Sequence, residues 1–354
     1  MARSREVARG EAGSGRLHRR GWRSGPRRLL IAVAVLVGMT MAMAGPAPAT
    51  TAAQRQQQQQ VTYVANQTSD NVSVIDTSTN TVVDTITVGD APRGLAITPG
   101  GTRVYVANAD SDNVSVIDTS TNTVVDTITV GDRPWAVAVS PGGTRVYVVN
   151  RDSDNVSVIS TASNTVIDTI TVGDDPTGVA VTPGGTRVYV ANLGSDNVSV
   201  ISTASNTVVD TITVGAAPVA PVVTPGGTRV YVTNAGSGSV SVISTASNTV
   251  IDTITVGAAP EGLAVTPGGT RVYVANNVSD NVSVISTASN TVIDTITVGD
   301  GPLGVAVTPG GTRVYVTNFV SGTASVISTA TNTVTGTITV GTGPVGVDSG
   351  LIPD

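Results

Sequence analysis

The side chains best placed to do chemistry in this sequence of 354 residues are one tryptophan, Trp135, and three arginines near it in the repeat frame, Arg93, Arg133 and Arg151. An indole offers an apolar face and a guanidinium a planar fork of N–H donors. Together they suit a carbohydrate or an anionic group. Glu261 and Phe319 occupy comparable loop positions and complete the candidate ligand-binding set. A second chemistry would use carboxylates: Asp174, Asp175, Glu261 and Asp300 could supply a pair for hydrolysis. Asp110-Ser111-Asp112-Asn113 and Asp152-Ser153-Asp154-Asn155 look like fragments of calcium loops, although each lacks the glycine and the later bidentate glutamate of a full loop. The other copies read SDN, SGS or SGT, which are ordinary turn sequences. Calcium stays open as the alternative to no cofactor; no metal ligand and no catalytic residue is assigned.

Composition removes other chemistries. There is no cysteine, every one of the 19 basic residues is arginine, and the one histidine, His18, lies near the N-terminus. Beyond that region imidazole catalysis, zinc held by His or Cys, and a Schiff-base lysine are all excluded. From Thr50 onward ten arginines stand against 23 acidic side chains, a net charge of −13. Nucleic acid and anionic membrane are therefore poor partners; a surface glycan or a protein suits the chain better.

These residues need a scaffold, and the sequence supplies it by repetition. Tyr63, Tyr105, Tyr147, Tyr189, Tyr231, Tyr273 and Tyr315 are spaced by 42 each time, and so are Pro92, Pro134, Pro176, Pro218, Pro260, Pro302 and Pro344. Each copy carries four Val-, Ile- and Thr-rich runs bounded by Gly, Asn and Ser turns, and no apolar 3.6 period. Four antiparallel strands per unit of about 40 residues predict a propeller blade. Residues 61–354 hold seven copies and should form an all-β, seven-bladed propeller. The chain starts on the second strand type and ends on the first, at Pro344–Val347. The last strand should therefore complete the first blade and close the ring.

The motifs Tyr-Val-Ala-Asn (63–66, 105–108, 189–192, 273–276), Tyr-Val-Val-Asn (147–150) and Tyr-Val-Thr-Asn (231–234, 315–318), followed by SDNVSVID and TVVDTITVG, resemble the YVTN family of β-propeller repeats. The resemblance covers residues 61–354. It implies a seven-bladed propeller, generally exported and often on prokaryotic cell surfaces, and it implies no single reaction. Related propellers include lactonases that rely on His or metal-binding carboxylate sets, which do not match here.

The N-terminus agrees with export. Nine arginines lie between Arg3 and Arg28, followed by sixteen uncharged residues, Leu29–Ala44, and small-residue sites at Ala42-Met43-Ala44 and Ala47-Pro48-Ala49. As a helix that stretch would rise about 24 Å, short of a hydrocarbon core of about 30 Å. Residues 1–49 are read as an export signal, with an uncleaved anchor as the alternative and the only route to a membrane. Residues 50–60, rich in glutamine, are read as a disordered linker. The expected product is an extracytoplasmic binding or structural module, secreted or on the cell surface. The alternative is a carboxylate- or calcium-dependent hydrolase or lyase with its site at the channel mouth.

Two finer expectations concern geometry. The residues after each blade proline (Arg93, Trp135, Thr177, Val219, Glu261, Leu303, Val345) should ring the mouth of the channel. An aspartate in the outer strand of six copies and an arginine before the Tyr strand of six copies suggest ion pairs between blades, such as Asp84–Arg103, 19 residues apart.

Overall fold

The computed structural model describes residues 58–353, and all of its regular elements are strands. The proposed export segment, its cleavage sites and the linker up to residue 57 lie outside the described residues. Seven four-stranded antiparallel sheets follow one another along the chain. The second blade illustrates them: inner strand Pro92–Ile97, then Arg103–Asn108, Asn113–Asp118 and the outer strand Thr123–Thr129.

The ring closes as its phase requires. The C-terminal strand Pro344–Pro353 is the inner strand of the first blade and pairs antiparallel with Gln58–Asn66, matching Tyr63 with Asp348 and Val64 with Val347. Pairing starts at Gln58, opposite Pro353, so Gln58–Gln60 belong to the propeller and not to the linker. Their side chains offer nothing apolar to bury. The reason they are ordered is backbone hydrogen bonding to the extended final strand, which side-chain composition does not report.

Packing explains why low aromatic content suffices. Seven apolar clusters form, one at each seam between neighbouring blades. In each, a fully buried tyrosine of one blade meets Val and Ile of the next, as Tyr231 meets Val272 and Ile285. Outer strands face water and carry a bulge: Val242 pairs with Asp252 and Ile243 with Val250, leaving Ile251 between them unpaired and exposed. A bulge twists an open edge away from further strand pairing.

The expected Asp–Arg ion pairs do not form. Among the described residues the ion pairs are Arg133–Asp152 and Arg151–Asp175, both elsewhere. An asparagine of the next blade stands between the two charges instead. At the seam of the fifth and sixth blades, Arg229 donates to the Thr287 carbonyl (2.7 Å) and to Asn290 Oδ1 (3.3 Å). Tyr231 donates to the same oxygen (2.9 Å), and Asn290 Nδ2 donates to Asp252 (2.9 Å). Asn290 sits in a left-handed turn (φ 52°), a conformation asparagine tolerates, which aims its amide across the seam. The arginine and aspartate thus act from one blade, and the terminal copies are incomplete. Val61 replaces the arginine at the seam of the first and second blades, and Gly336 replaces the aspartate at the closing seam.

Candidate functional site

The inner strands converge at one end on a cavity of about 220 Å³ whose wall includes Arg93, Trp135, Thr177, Val219, Glu261, Leu303 and Val345. Local geometry turns these side chains inward. Register shifts fall directly after each proline: Pro92 pairs with Asn108, but the next pair is Leu95 with Val106. Arg93 and Gly94 lie in that irregularity and aim at the channel. Crowding then restricts the following position. A Cβ on Gly94 would lie 2.7 Å from the Ala136 Cα, and one on Gly262 would lie 2.3 Å from the Leu303 carbonyl oxygen. Glycine there lets the strands approach closely enough to leave only a small cup.

One side of the cup is strongly basic. The Arg93 guanidinium carbon lies 3.4 Å from the centre of the Trp135 ring, that of Arg151 4.6 Å and that of Arg133 5.3 Å. These are cation–π distances, and the attraction is opposed by the desolvation of Arg93 and by its repulsion from Arg133 and Arg151. Arg133 and Arg151 are partly offset by Asp152 (3.7 Å) and Asp175 (3.4 Å). Arg93 has no ion pair among the described residues. Burial, then repulsion from Arg133 and Arg151, lowers its pKa to about 10, so it stays charged at neutral pH.

Glu261 is the acidic member of the wall and the only glutamate beyond residue 60. Burial raises its pKa to about 7, against the pull of Arg93 and Arg151. Its carboxylate makes no hydrogen bond or ion pair among the described residues; only its carbonyl is engaged, by Thr233 (2.7 Å). A half-buried carboxyl near neutrality can exchange a proton at physiological pH.

Of the sequence candidates, Arg93, Trp135 and Glu261 line the cup, while Arg133 and Arg151 lie over Trp135 and are not part of the wall. Phe319 does not line it. Phe319 and Arg151 occupy equivalent loop positions in their blades, but the phenyl ring rests against Gly343 at the link into the first blade, while the longer arginine reaches the indole. Asp174, Asp175 and Asp300 are also absent from the cup wall. Among the described residues no three His, Cys, Asp or Glu side chains cluster as a metal site would require. The Asp-Ser-Asp loops have structural work instead. Asp112 accepts the Arg133 N–H (2.8 Å) and Ser111 Oγ accepts the Asp90 N–H (2.8 Å), tying each loop to the link between blades.

Sequence reasoning missed Asp348. It sits on the first blade's inner strand, accepting N–H groups from Ile97 of the second blade (2.9 Å) and from Ser349 (2.8 Å). Burial pushes its pKa up to about 6. The signal was present: the other copies have Ala96, Ala138, Ala180, Val222, Ala264 and Ala306 at this position.

Comparison with known proteins agrees on architecture. A family model described as YNCE-like beta-propeller matches residues 25–142, and one described as Lactonase, 7-bladed beta-propeller matches residues 120–219. No curated protein matches. Hydrazine synthase of Kuenenia stuttgartiensis is similar over 76% of this chain and 92% of its own, with 26% identity and a TM-score of 0.69. A functionally unknown protein from Desulfotomaculum acetoxidans DSM 771 is similar over 83% and 99%, at 21% identity and TM-score 0.73. A candidate 6-phosphogluconolactonase from Bacteroides uniformis ATCC 8492 is similar over 83% and 100%, at 18% identity and TM-score 0.70. In all, 1627 solved chains match, so the fold by itself selects no reaction.

Proposed function

We propose that this chain is an exported propeller of the YVTN-repeat type, acting as a surface-associated binding module whose channel mouth takes a small ligand bearing an anionic group. One observation carries the reading. Of the nine arginines in residues 61–354, six (Arg103, Arg145, Arg187, Arg229, Arg271, Arg313) hold seams, and the remaining three all surround the one tryptophan of that span. A repeat copied seven times has no structural need for this cluster, and in an acidic propeller it is a local attractor for negative charge. The YVxN motif in every copy supports the YVTN assignment. The basic and then apolar N-terminal segment supports export.

The test is fluorescence of the full chain with Trp22→Phe, so that Trp135 is the sole reporter. Titration with hexanoate, glucuronate and inorganic phosphate should give a saturable change for at least one, lost in Arg93→Ala. No response to any of them would refute the reading.

A second reading, a hydrolase, is favoured by the lactonase match and by the near-neutral pKa of Glu261, which suits a general base. It stands second because Glu261 is the one carboxylate in the cup wall, and the paired chemistry needs another. Lactone opening that disappears with Glu261→Gln would promote it.

A further inference from the structure

The cup has two charged poles, and they do not meet. Around the ring the wall residues run Arg93, Trp135, Thr177, Val219, Glu261, Leu303 and Val345, from the second blade round to the first. Arg93 and Glu261 stand on opposite sides. Along the shorter arc Leu303 and Val345 separate them; along the longer arc Trp135, Thr177 and Val219 do. No ion pair joins the two, and among the described residues neither charged group has an acid or base partner of its own. Leaving a guanidinium and a carboxyl half-buried without a hydrogen-bonded partner costs free energy that the pull of Glu261 and Asp110 on Arg93, and of Arg93 and Arg151 on Glu261, offsets only in part. Closing the gap needs a molecule with both complementary charges and an apolar body between them.

We infer that the cup binds a small bipolar ligand, an ω-amino acid in chemical class, with its carboxylate on the Arg93 guanidinium over Trp135, its ammonium on Glu261, and its chain against Leu303 and Val345. The inference rests on the anion-binding reading above and adds the second pole. The cavity of about 220 Å³ restricts the ligand to small-metabolite size, below the roughly 300–1,000 Å³ of drug-sized sites. A dianionic ligand would be opposed by Glu261, and an uncharged one would leave both poles unmet. Proton linkage gives a further mark. The charged groups acting on Glu261 are Arg93 and Arg151, and burial outweighs both, so the empty site is partly protonated near pH 7. An ammonium selects the ionised form. Binding should therefore release a fraction of a proton at pH 7, and affinity should rise from pH 6 to pH 8.

The experiment is calorimetric titration of the full chain with 6-aminohexanoate, hexanoate and hexylamine, in two buffers of different ionisation enthalpy. The expected result is at least tenfold tighter binding of 6-aminohexanoate than of either single-charge analogue. Its heat should depend on the buffer in the wild-type chain, and Glu261→Gln should remove both the advantage and the pH dependence. Hexanoate binding as tightly as 6-aminohexanoate would overturn the bipolar inference and leave the anion site standing. An advantage that survives in Glu261→Gln would also overturn it. Absence of binding by both carboxylates would remove this inference, and silence from glucuronate and phosphate as well would remove the reading beneath it.

Discussion

Arg187 and Arg93 are the same residue type doing opposite things in two regions of one ring. Arg187 is a repeat residue. It donates to the Thr245 carbonyl (2.7 Å) and to Asn248 (3.1 Å) across a seam, and its equivalents recur in five other copies. Arg93 has no equivalent in the other copies. Its position carries Trp, Thr, Val, Glu, Leu or Val elsewhere, and its guanidinium lies over an indole at the cup. The difference teaches that periodic residues serve the ring while departures from the period serve the cavity. Stability and recognition are then borne by separable sets of side chains.

The sharpest contrast within the frame lies between a complete seam and an incomplete one. Asn290→Ala removes the acceptor shared by Arg229 and Tyr231 and the donor to Asp252. It should lower unfolding stability by about 2–3 kcal/mol in urea titration. Asn122→Ala at the first seam loses only the contact from Tyr63 (3.3 Å). Both asparagines have φ near 50°, so the cost of alanine in that conformation is common to both, and the clamp is isolated by the difference. Equal losses at the two seams would dissolve the contrast.

Asp348 is a departure from the period that lies inside the frame, so it tests the rule from another side. Its pKa is raised from 3.8 to about 6, which means the folded state favours the protonated form. That contribution is fully present below about pH 4 and is lost as pH rises through about 6. Asp348→Asn removes the buried charge, and although the amide keeps only one oxygen for two N–H donors it should stabilise the chain by about 1–2 kcal/mol at pH 8; the gain should fade below pH 4. A stability difference independent of pH would show that the carboxyl is not destabilised by burial.

Smaller effects sharpen the comparison. Val61→Arg restores the missing repeat arginine at the first seam but takes a fully buried valine out of the apolar cluster there, so the urea midpoint should fall, by about 1 kcal/mol of stability. Trp135→Ala should change stability by less still, about 0.5 kcal/mol in either direction, since it lies half-buried at the cup and belongs to no apolar cluster. Calorimetric titration of the same variant with hexanoate should nonetheless show weakened binding.

Most of the fold was legible because a 42-residue period in Tyr and Pro admits few architectures, and its phase dictated closure through Pro344–Val347. The seam chemistry was misread because sequence offers charges as partners for charges. The side chain between Arg229 and Asp252 is a neutral asparagine 61 residues beyond the arginine, and only the left-handed turn at Asn290 brings it there. At the mouth, Arg93, Trp135 and Glu261 could be placed because blade phase fixes which residue follows each proline. Phe319 could not, because loop position does not say which way a ring turns. Asp348 was visible as the one charge in a column otherwise of alanine and valine, but its burial depends on the second blade lying against it.

The most direct test of the division between frame and cup is a paired measurement on Arg93→Ala and Arg187→Ala, each by urea unfolding and by hexanoate titration. Arg93→Ala should bind at least tenfold more weakly with its unfolding midpoint unchanged, while Arg187→Ala should lose about 1–2 kcal/mol of stability and bind as the unmodified chain does. Loss of both properties in both variants, or of stability alone in Arg93→Ala, would contradict the account.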